Sequence, residues 1–562
     1  MEQLYGEYGE NFSAEIGHHL YQAGALADGA RTARYLMIAG ERARSASAFD
    51  EAIQMLDAAQ TVLPPGDSIT LGNLQYFRGM SLRGNGRMEE ALVSFQNSID
   101  ILPRGKNQNR PILSRAQLLL DLYRGHDAVN DIELLLGSAR ETGNKTQEVA
   151  SLQLLGWAYY IISLNEPGGG ERALEAYEHA YKLAREMGDK AGMARARIPT
   201  NHLVDYWPDF RDRALSNIQE AVRLAEEIGD EDLIYDAAKA RLRFLSPGES
   251  CEQAGILLER MKTRRDPIRL KELYFSLMWT YRRVGDFLRC VEICDASIHL
   301  AEELGANPVQ YPTIKALALI NLGRYDDAWG SLQQEFTEEQ FGYTMQQYGV
   351  MYYLMDLLAF DRAAEKTSEV VELATQLDRA WMRTEAQMLR VGALTRLGTL
   401  DDEILEGIEQ DLQSFGGELG RSTTAEVMFM KGSFGEALEL VEASTARAEE
   451  IGFKLEWIPA LELKLRILLS LDRFDEALKL ADVALQQAEQ TNYRPMQWRI
   501  LAGRANAKAA MGDSVGAAED YVAAARIIDD LAATIPDAEL RRGFETNPLV
   551  KSIHEAINRE KT

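Results

Sequence analysis

Apolar residues recur every three or four positions over most of the chain, in segments of about 15 residues separated by short polar turns. This spacing predicts amphipathic α-helices. The segments come in pairs, and a phrase close to Leu-Ala-Glu-Glu-Leu-Gly ends the second segment of several pairs. Its copies span residues 138–143, 183–188, 224–229, 300–305 and 447–452. Self-similarity at a period of roughly 34 to 44 residues predicts an array of helical hairpins.

Two early units show how each hairpin is built. In one unit Ala91 begins the second helix, Phe95 follows one turn later, and Pro103 ends the helix. The preceding unit places Ala52 and Pro64 at the same spacing. The small alanine lets two helices approach closely, and the proline cannot continue a helix because it lacks a backbone donor. From the middle onward an extra turn ending in glycine replaces the proline, because glycine tolerates a left-handed cap.

We therefore expect an all-α fold, a right-handed α-α superhelix of about thirteen helical hairpins. Each repeat packs only on its neighbours, so the length does not require separate domains. The expected organisation is one continuous solenoid over residues 1–562. Residues 1–46 would form amino-terminal capping or junction helices, residues 47–530 the repeats, and residues 531–562 a carboxyl-terminal cap.

The unit resembles the tetratricopeptide repeat, in which an aromatic, Leu-Gly and Tyr on the first helix precede spaced alanines and a proline on the second. The two ends resemble the carboxyl-terminal repeat region of large bacterial signalling ATPases, including ATPase-linked class III adenylate cyclases and LuxR-type regulators. The residues that carry this resemblance lie at 4–7, 14–24, 33–43, 47–52 and 535–544. It implies a sensor superhelix that acts on an upstream ATPase or cyclase module. This sequence has no phosphate-binding loop of the Gly-x4-Gly-Lys-Ser/Thr type, no cyclase segment and no DNA-binding helix-turn-helix.

Composition narrows the classes of partner. The 61 basic and 87 acidic residues give a formal net charge of -26, which disfavours nucleic-acid binding over most of the surface. Charged residues interrupt every apolar stretch before the ~20 residues that a membrane span needs, so no membrane partner is expected. Three cysteines fit a reducing compartment, and the first residues lack the features of a secretion signal. We expect a cytoplasmic protein.

The sequence offers little catalytic chemistry. Cys290 and Cys294 are spaced for a shared metal, but the repeat register places them where other units carry buried alanine and phenylalanine, which favours packing. His18 and His19 are adjacent, so a helix would point them about 100° apart. No local pairing of nucleophile and base is present. We expect no cofactor, no metal and no enzymatic activity.

The first helices provide the candidate binding residues. If Gly285 marks a turn, Tyr274, Leu277, Met278 and Tyr281 face the second helix, and other side chains point to the inner surface. The expected partner-binding groove consists of Tyr76, Arg83, Trp157, Tyr160, Tyr206, Phe275, Trp279, Arg282, Arg283, Tyr348 and Tyr352. Aromatic area combined with arginine donors suits an extended peptide or a partner helix. Alternatively, these side chains pack against the next helix of a tightly wound superhelix.

A local charge excess adds to this hypothesis. Between Lys239 and Lys271 nine basic residues face four acidic ones, a net charge of +5, which is typical either of a solvated helix face or of an attraction for acidic ligands. The leading functional hypothesis is a non-catalytic sensor or scaffold solenoid of a signalling ATPase or cyclase-type regulator, which binds a partner in its groove. The alternative is a free-standing repeat adaptor or peptide receptor without an ATPase in cis.

Overall fold

The computed structural model describes residues 12–46, 48–105, 107–163, 168–205, 210–264, 267–303, 310–333, 341–377, 379–401, 404 and 418–559. These residues form 28 α-helices, a few short 3₁₀ turns and no strand. The expected all-α helical-repeat fold is confirmed. The chain divides into two compact units, Met1–Arg241 and Leu242–Thr562, which we call unit 1 and unit 2 and describe separately.

Unit 1 contains twelve α-helices within its described residues. They are α1 (Ser13–Gln22), α2 (Gly29–Ser45), α3 (Phe49–Val62), α4 (Ser68–Gly84), α5 (Met88–Ile101), α6 (Asn109–Asp121), α7 (Gly125–Glu141), α8 (Lys145–Ser163), α9 (Gly169–Met187), α10 (Lys190–Arg197), α11 (Arg211–Ile228) and α12 (Glu231–Arg241). A 3₁₀ segment, Ile198–Asp205, follows α10.

Unit 2 contains sixteen α-helices within its described residues. They are α13 (Pro247–Arg264), α14 (Pro267–Val284), α15 (Phe287–Glu303), α16 (Tyr311–Asn321), α17 (Tyr325–Ser331), α18 (Phe341–Asp356), α19 (Phe360–Gln376), α20 (Ala380–Leu397), α21 (Glu418–Met430), α22 (Phe434–Ile451), α23 (Lys454–Ser470), α24 (Phe474–Gln490), α25 (Arg494–Ala510), α26 (Ser514–Ala533), α27 (Ala538–Thr546) and α28 (Pro548–Arg559).

The hairpins pack as small residues against large ones. Ala91 and Phe95 on α5 are fully buried, and a Cβ atom added to Gly79 on α4 would lie 2.7 Å from the Phe95 ring. The same arrangement recurs between α8 and α9, where a Cβ on Gly156 would overlap the Tyr177 ring. Glycine at these crossings therefore sets the distance between the two helices, and the aromatic ring fills the space.

The helices end where the sequence places a proline or a glycine. α3 and α5 have 14 residues each and end just before Pro64 and Pro103. The longer α9, α11 and α22, with 18 or 19 residues, end at Gly188, Gly229 and Gly452. All three glycines adopt the left-handed conformation with φ between 71° and 80°, as the repeated Gly-terminated phrase predicts.

Within each unit the first helices of successive hairpins contact each other more closely than the second helices do. The first helices therefore line the inner side of the unit, and we call them inner helices. In unit 1 the contacting inner helices are α2, α4, α6, α8, α10 and α12. In unit 2 they are α14, α16, α18, α20, α21, α23 and α25.

The inner helices of unit 2 from α14 to α25 form what we call the closed turn, because helices from its two ends contact each other. α14 packs directly against α23, although several hairpins separate them in the chain. The turn after α14 meets the turn before α25: the Phe287 and Tyr493 ring centroids are 5.2 Å apart. Farther along, the Thr534 hydroxyl donates to the Gly323 carbonyl at 3.1 Å. These contacts join residues about 200 positions apart, so the inner side of unit 2 is packed rather than open.

Candidate functional site

The inner side of unit 1 carries an open cavity between α2 and α4. Its volume is about 560 Å³. The lining residues are Ala30, Arg34, Met37, Ile38, Glu41, Arg42, Asp67, Thr70 and Phe77. Met37 and Phe77 also pack on the buried cluster of Ala33, Leu36, Leu56, Ala59 and Leu74, so the hairpin core holds the cavity floor in place. Apolar side chains lie at its base and charged ones at its rim, as in sites that bind an apolar group with an oriented polar neighbour.

The charges at this rim are unequal. α2 carries Arg31, Arg34, Arg42 and Arg44 against a single acidic residue, Glu41. Glu41 accepts hydrogen bonds from Arg44, the shorter of them at 2.7 Å. Asp67 on the opposite wall caps α4 by accepting from the Thr70 amide at 3.0 Å. With Arg44, the partner of Glu41, the rim carries three arginines (Arg34, Arg42 and Arg44) against two carboxylates (Glu41 and Asp67), a net charge of +1 in an otherwise acidic chain.

The structure places the expected groove residues of unit 1 at separate contacts. The Trp157 and Tyr160 rings on α8 stack at 4.9 Å, and the Trp157 ring also packs 5.1 Å from His202 on the 3₁₀ segment. Tyr76 lies beneath the Arg110 guanidinium at 4.9 Å. Arg83 pairs with Asp121 at 2.6 Å.

The contacts of Tyr76 and Arg83 link α4 to α6, and that of Trp157 with His202 links α8 to the 3₁₀ segment. The Tyr76, Trp157 and Tyr160 rings remain partly exposed. Tyr206 lies outside the described residues. The sequence predicted Tyr76 on α4 as a binding residue, but it did not predict Ile38 and Phe77, which line the cavity.

In unit 2 the expected groove residues differ in exposure. Phe275 on α14 is 37% exposed and Trp279 is partly exposed. Arg283 donates from Nε to Glu456 on α23 at 3.2 Å, and its guanidinium lies 4.2 Å over the Phe453 ring. Arg283 therefore helps to join the two ends of the closed turn.

The remaining three residues come together in the interior of unit 2. Arg282 and Tyr348 are only 7% and 2% exposed, and the Arg282 guanidinium lies 6.0 Å over the Tyr352 ring. The Tyr348 and Tyr352 hydroxyls both donate to Glu385 on α20, the second at 3.2 Å. Burial raises the pKa of Glu385, against the opposing effect of these hydrogen bonds and of the Arg282 charge. The expected groove is open, whereas Arg282 and Tyr348 are buried here and Tyr352 is partly exposed.

Further charged residues lie in the same interior of unit 2. They were not predicted from the sequence. Glu426 on α21 accepts from Arg396 at 2.7 Å and from Arg466 at 3.1 Å. Asp356 on α18 accepts from the Tyr325 hydroxyl at 2.6 Å and lies 3.7 Å from Arg499. The sequence feature that could have predicted this charged interior is the presence of charged side chains at the inward positions of several inner helices. We call the whole set, with Arg282 and Glu385, the polar centre of unit 2.

Other candidate features have structural explanations. Cys290 and Cys294 are fully buried, as the repeat register predicts, and the Cys290 thiol donates to the Met278 carbonyl at 3.2 Å. A hydrogen bond with Cys290, in which the Cys294 thiol is the donor, and burial together raise the pKa of Cys294. A second cavity, of about 520 Å³, lies among α15, α16 and α17. Four of its five charged lining residues form two pairs, with Lys315 2.6 Å from Asp295 and Arg324 donating to Asp327 at 2.7 Å.

Two absences apply to the described ranges alone. No group of three or more His, Cys, Asp or Glu side chains there is arranged to hold a metal ion. No helix there combines the length and apolar character needed to cross a bilayer.

Comparison with known proteins gives a likeness of fold. No protein-family model matches the chain, and no curated protein matches it by sequence. Among solved structures, a chain of the APC/C hetero-tetramer Cut9-Hcn1 aligns over 94% of this chain and 96% of its own length, with 14% identity and a TM-score of 0.50. The apo form of RapI aligns over 49% of this chain and 98% of its own, with 12% identity and a TM-score of 0.40. The Cut9-Hcn1 likeness supports a tetratricopeptide-like helical-repeat fold.

Proposed function

We propose that this chain is a non-catalytic protein-binding repeat module, and that unit 1 binds a peptide segment of its partner on the inner side. The observation that carries the proposal is the cavity between α2 and α4, whose base is formed by Met37, Ile38 and Phe77. It can take one apolar side chain of a peptide. The net positive rim favours acidic residues beside that anchor.

Two further observations support a peptide ligand. The partly exposed Trp157 and Tyr160 rings offer rigid apolar area on another inner helix of the same unit, as expected for contacts along an extended chain. The structurally similar Cut9 chain belongs to a hetero-tetramer, so this fold serves protein assembly elsewhere. Unit 2 is the less suitable half for such binding, because Arg282 and Tyr348, two of its expected groove residues, are buried.

At a finer level, we propose that the module is the sensing arm of a signalling ATPase or cyclase-type regulator in the cytoplasm. Partner binding would alter the packing of α1 and α2 and so act on an upstream module. This finer proposal rests on the resemblance at residues 14–52 and 535–544. The alternative is a free-standing adaptor. Sequencing upstream of the Met1 codon distinguishes the two proposals. An open reading frame that continues into a phosphate-loop domain would support the sensing arm and exclude the free-standing adaptor.

Peptide phage display against the full chain tests the binding proposal. We expect selected peptides to share one large apolar residue flanked by Asp or Glu, and to lose affinity when salt is raised. Ile38→Asp should abolish binding because it places a carboxylate at the apolar base of the cavity. Arg34→Glu should weaken binding by reversing one charge at the rim.

Val93→Asp is the matched control. Val93 lies on the outer helix α5 and is 60% exposed, so its replacement introduces the same charge on the opposite side of the hairpin. Its binding should equal that of the unchanged chain. The proposal fails if no peptide is enriched, or if the enriched peptides bind the Ile38→Asp variant with unchanged affinity while circular dichroism shows that the variant is folded.

A further inference from the structure

The surface beside the unit 1 cavity continues across α4 onto α6. Phe77 lines the cavity, and its ring centroid lies 5.3 Å from that of Tyr76. The guanidinium of Arg110 on α6 lies over the Tyr76 ring, 4.9 Å from its centroid. Two half-buried rings and an exposed arginine therefore form one continuous row that leads from the cavity to the next inner helix.

The hairpin core holds this row in place. The Tyr76 ring centroid lies 6.2 Å from that of Phe95, which is fully buried on α5. This contact limits the movement of the Tyr76 ring. A guanidinium over an aromatic ring is attracted by the π electrons, and its N–H groups at the edge can still donate to a carboxylate. Tyr76 therefore positions Arg110 with its donors accessible.

The arginines on this surface have few acidic partners. In the part of the chain that the structure describes, the Arg110 guanidinium forms no ion pair and no hydrogen bond, and the same is true of Arg34 at the cavity rim. Asp121, on the same helix as Arg110, pairs with Arg83 at 2.6 Å. The apolar row is thus flanked by one unpaired arginine on α2 and another on α6, and this charge is complementary to acidic groups of a ligand.

The length of the row predicts a spacing in that ligand. The two ring-to-ring and ring-to-guanidinium steps together span at most about 10 Å, which is about three residues of an extended chain at ~3.3 Å per residue. A peptide that inserts an apolar side chain beside Phe77 and then crosses α4 brings the residue about three positions away to Arg110. Arg34 lines the cavity itself, so it faces the immediate neighbours of the anchor.

We propose that Arg110 is a specificity-determining residue of the unit 1 site and binds an Asp or Glu side chain about three positions from the apolar anchor of an extended peptide. This inference rests on the peptide binding proposed for unit 1. It adds a spacing, and a path for the peptide from the cavity over Tyr76 to α6. A helical ligand would need about seven residues for the same distance, because a helix advances only ~1.5 Å per residue.

Fluorescence anisotropy of the full chain with defined peptides tests the proposal. Each probe is an acetylated and amidated peptide of alanine and serine with a central leucine or phenylalanine, and one glutamate is moved through the seven positions on either side. Blocked ends exclude a contribution from terminal charges. We expect the tightest binding when the glutamate lies about three positions from the anchor, on one side only.

Arg110→Gln should remove this positional preference. The affinity of the preferred peptide should fall by about two- to fivefold, as expected for the loss of one exposed ion pair. The affinity of the same peptide without glutamate should not change. Arg110→Lys should keep part of the preference, because it retains the charge but not the planar pair of donors.

Arg223→Gln is the matched control, since the Arg223 side chain is 65% exposed on the outer helix α11. It should bind every peptide like the unchanged chain. Arg34→Gln should weaken only the peptides with glutamate next to the anchor. If peptides bind but Arg110→Gln keeps the positional preference, or the preference lies at seven positions or is absent, this inference is overturned and the peptide-binding function stands. Binding of none of the peptides overturns both.

Discussion

At the scale of single residues, partly buried charges in unit 2 are held by specific pairs. Glu426 on α21 takes part in two of them, because it accepts from both Arg396 and Arg466. Desolvation raises its pKa, but the two guanidinium charges outweigh that effect and hold the pKa below its ordinary value. These two ion pairs therefore stabilise the folded state only while Glu426 is ionised.

Glu426→Gln should destabilise unit 2 by about 1.5–3 kcal/mol, because it leaves two partly buried arginines without their shared carboxylate. Urea-induced unfolding of the full chain at pH 7, followed by circular dichroism, measures the loss. The folded pKa is depressed, so the stabilisation is present above the unfolded value of about 4.3 and is lost as pH falls through the folded pKa. The difference between the two proteins should therefore shrink below about pH 4.

Glu436→Gln provides the control, since Glu436 is exposed on the next helix. It should leave the urea midpoint unchanged. A Glu426→Gln variant as stable as this control at pH 7 would show that Arg396 and Arg466 find other acceptors.

At the scale of helices, the repeat depends on close crossings that the sequence marks with small residues. The sequence predicted the helix ends, the left-handed glycine caps and the burial of Cys290 and Cys294, because each depends on residues within one hairpin. It did not predict the cavity between α2 and α4. That cavity depends on how far two successive hairpins separate, and the arginine-rich composition of α2 was the available signal.

Two glycine-to-alanine variants test the crossing distance with the same chemical change. Gly156→Ala should destabilise unit 1 by about 1–3 kcal/mol, because the new methyl group would overlap the Tyr177 ring. Gly137→Ala, in the middle of α7, has open space around the added Cβ and should stabilise by about 0.5–1 kcal/mol through helix propensity. Chemical denaturation of the two variants gives both values. Equal effects would mean that the α8–α9 crossing is wider than described.

At the scale of the whole molecule, the inner sides of the two units differ in how exposed their expected binding residues are. The burial of Arg282 and Tyr348 could not be predicted from the sequence, because it depends on contacts such as that of Arg283 with Glu456, 173 positions apart. Repeat periodicity predicts which residues face the inner side of a hairpin. Whether that side is open depends on how tightly successive hairpins wind, and small changes in each crossing accumulate over many repeats.

The most direct test of this central claim is the rate at which a maleimide labels cysteines placed on the two inner sides, with peptide-level mass spectrometry reading each site. Ile38→Cys lies at the unit 1 cavity, and Tyr348→Cys lies in the polar centre of unit 2. The buried Cys290 provides a slow internal reference in both proteins. We expect rapid labelling at position 38 and labelling at position 348 nearly as slow as at Cys290. Labelling of Tyr348→Cys as fast as Ile38→Cys, in a variant that retains its helical circular dichroism, would contradict it.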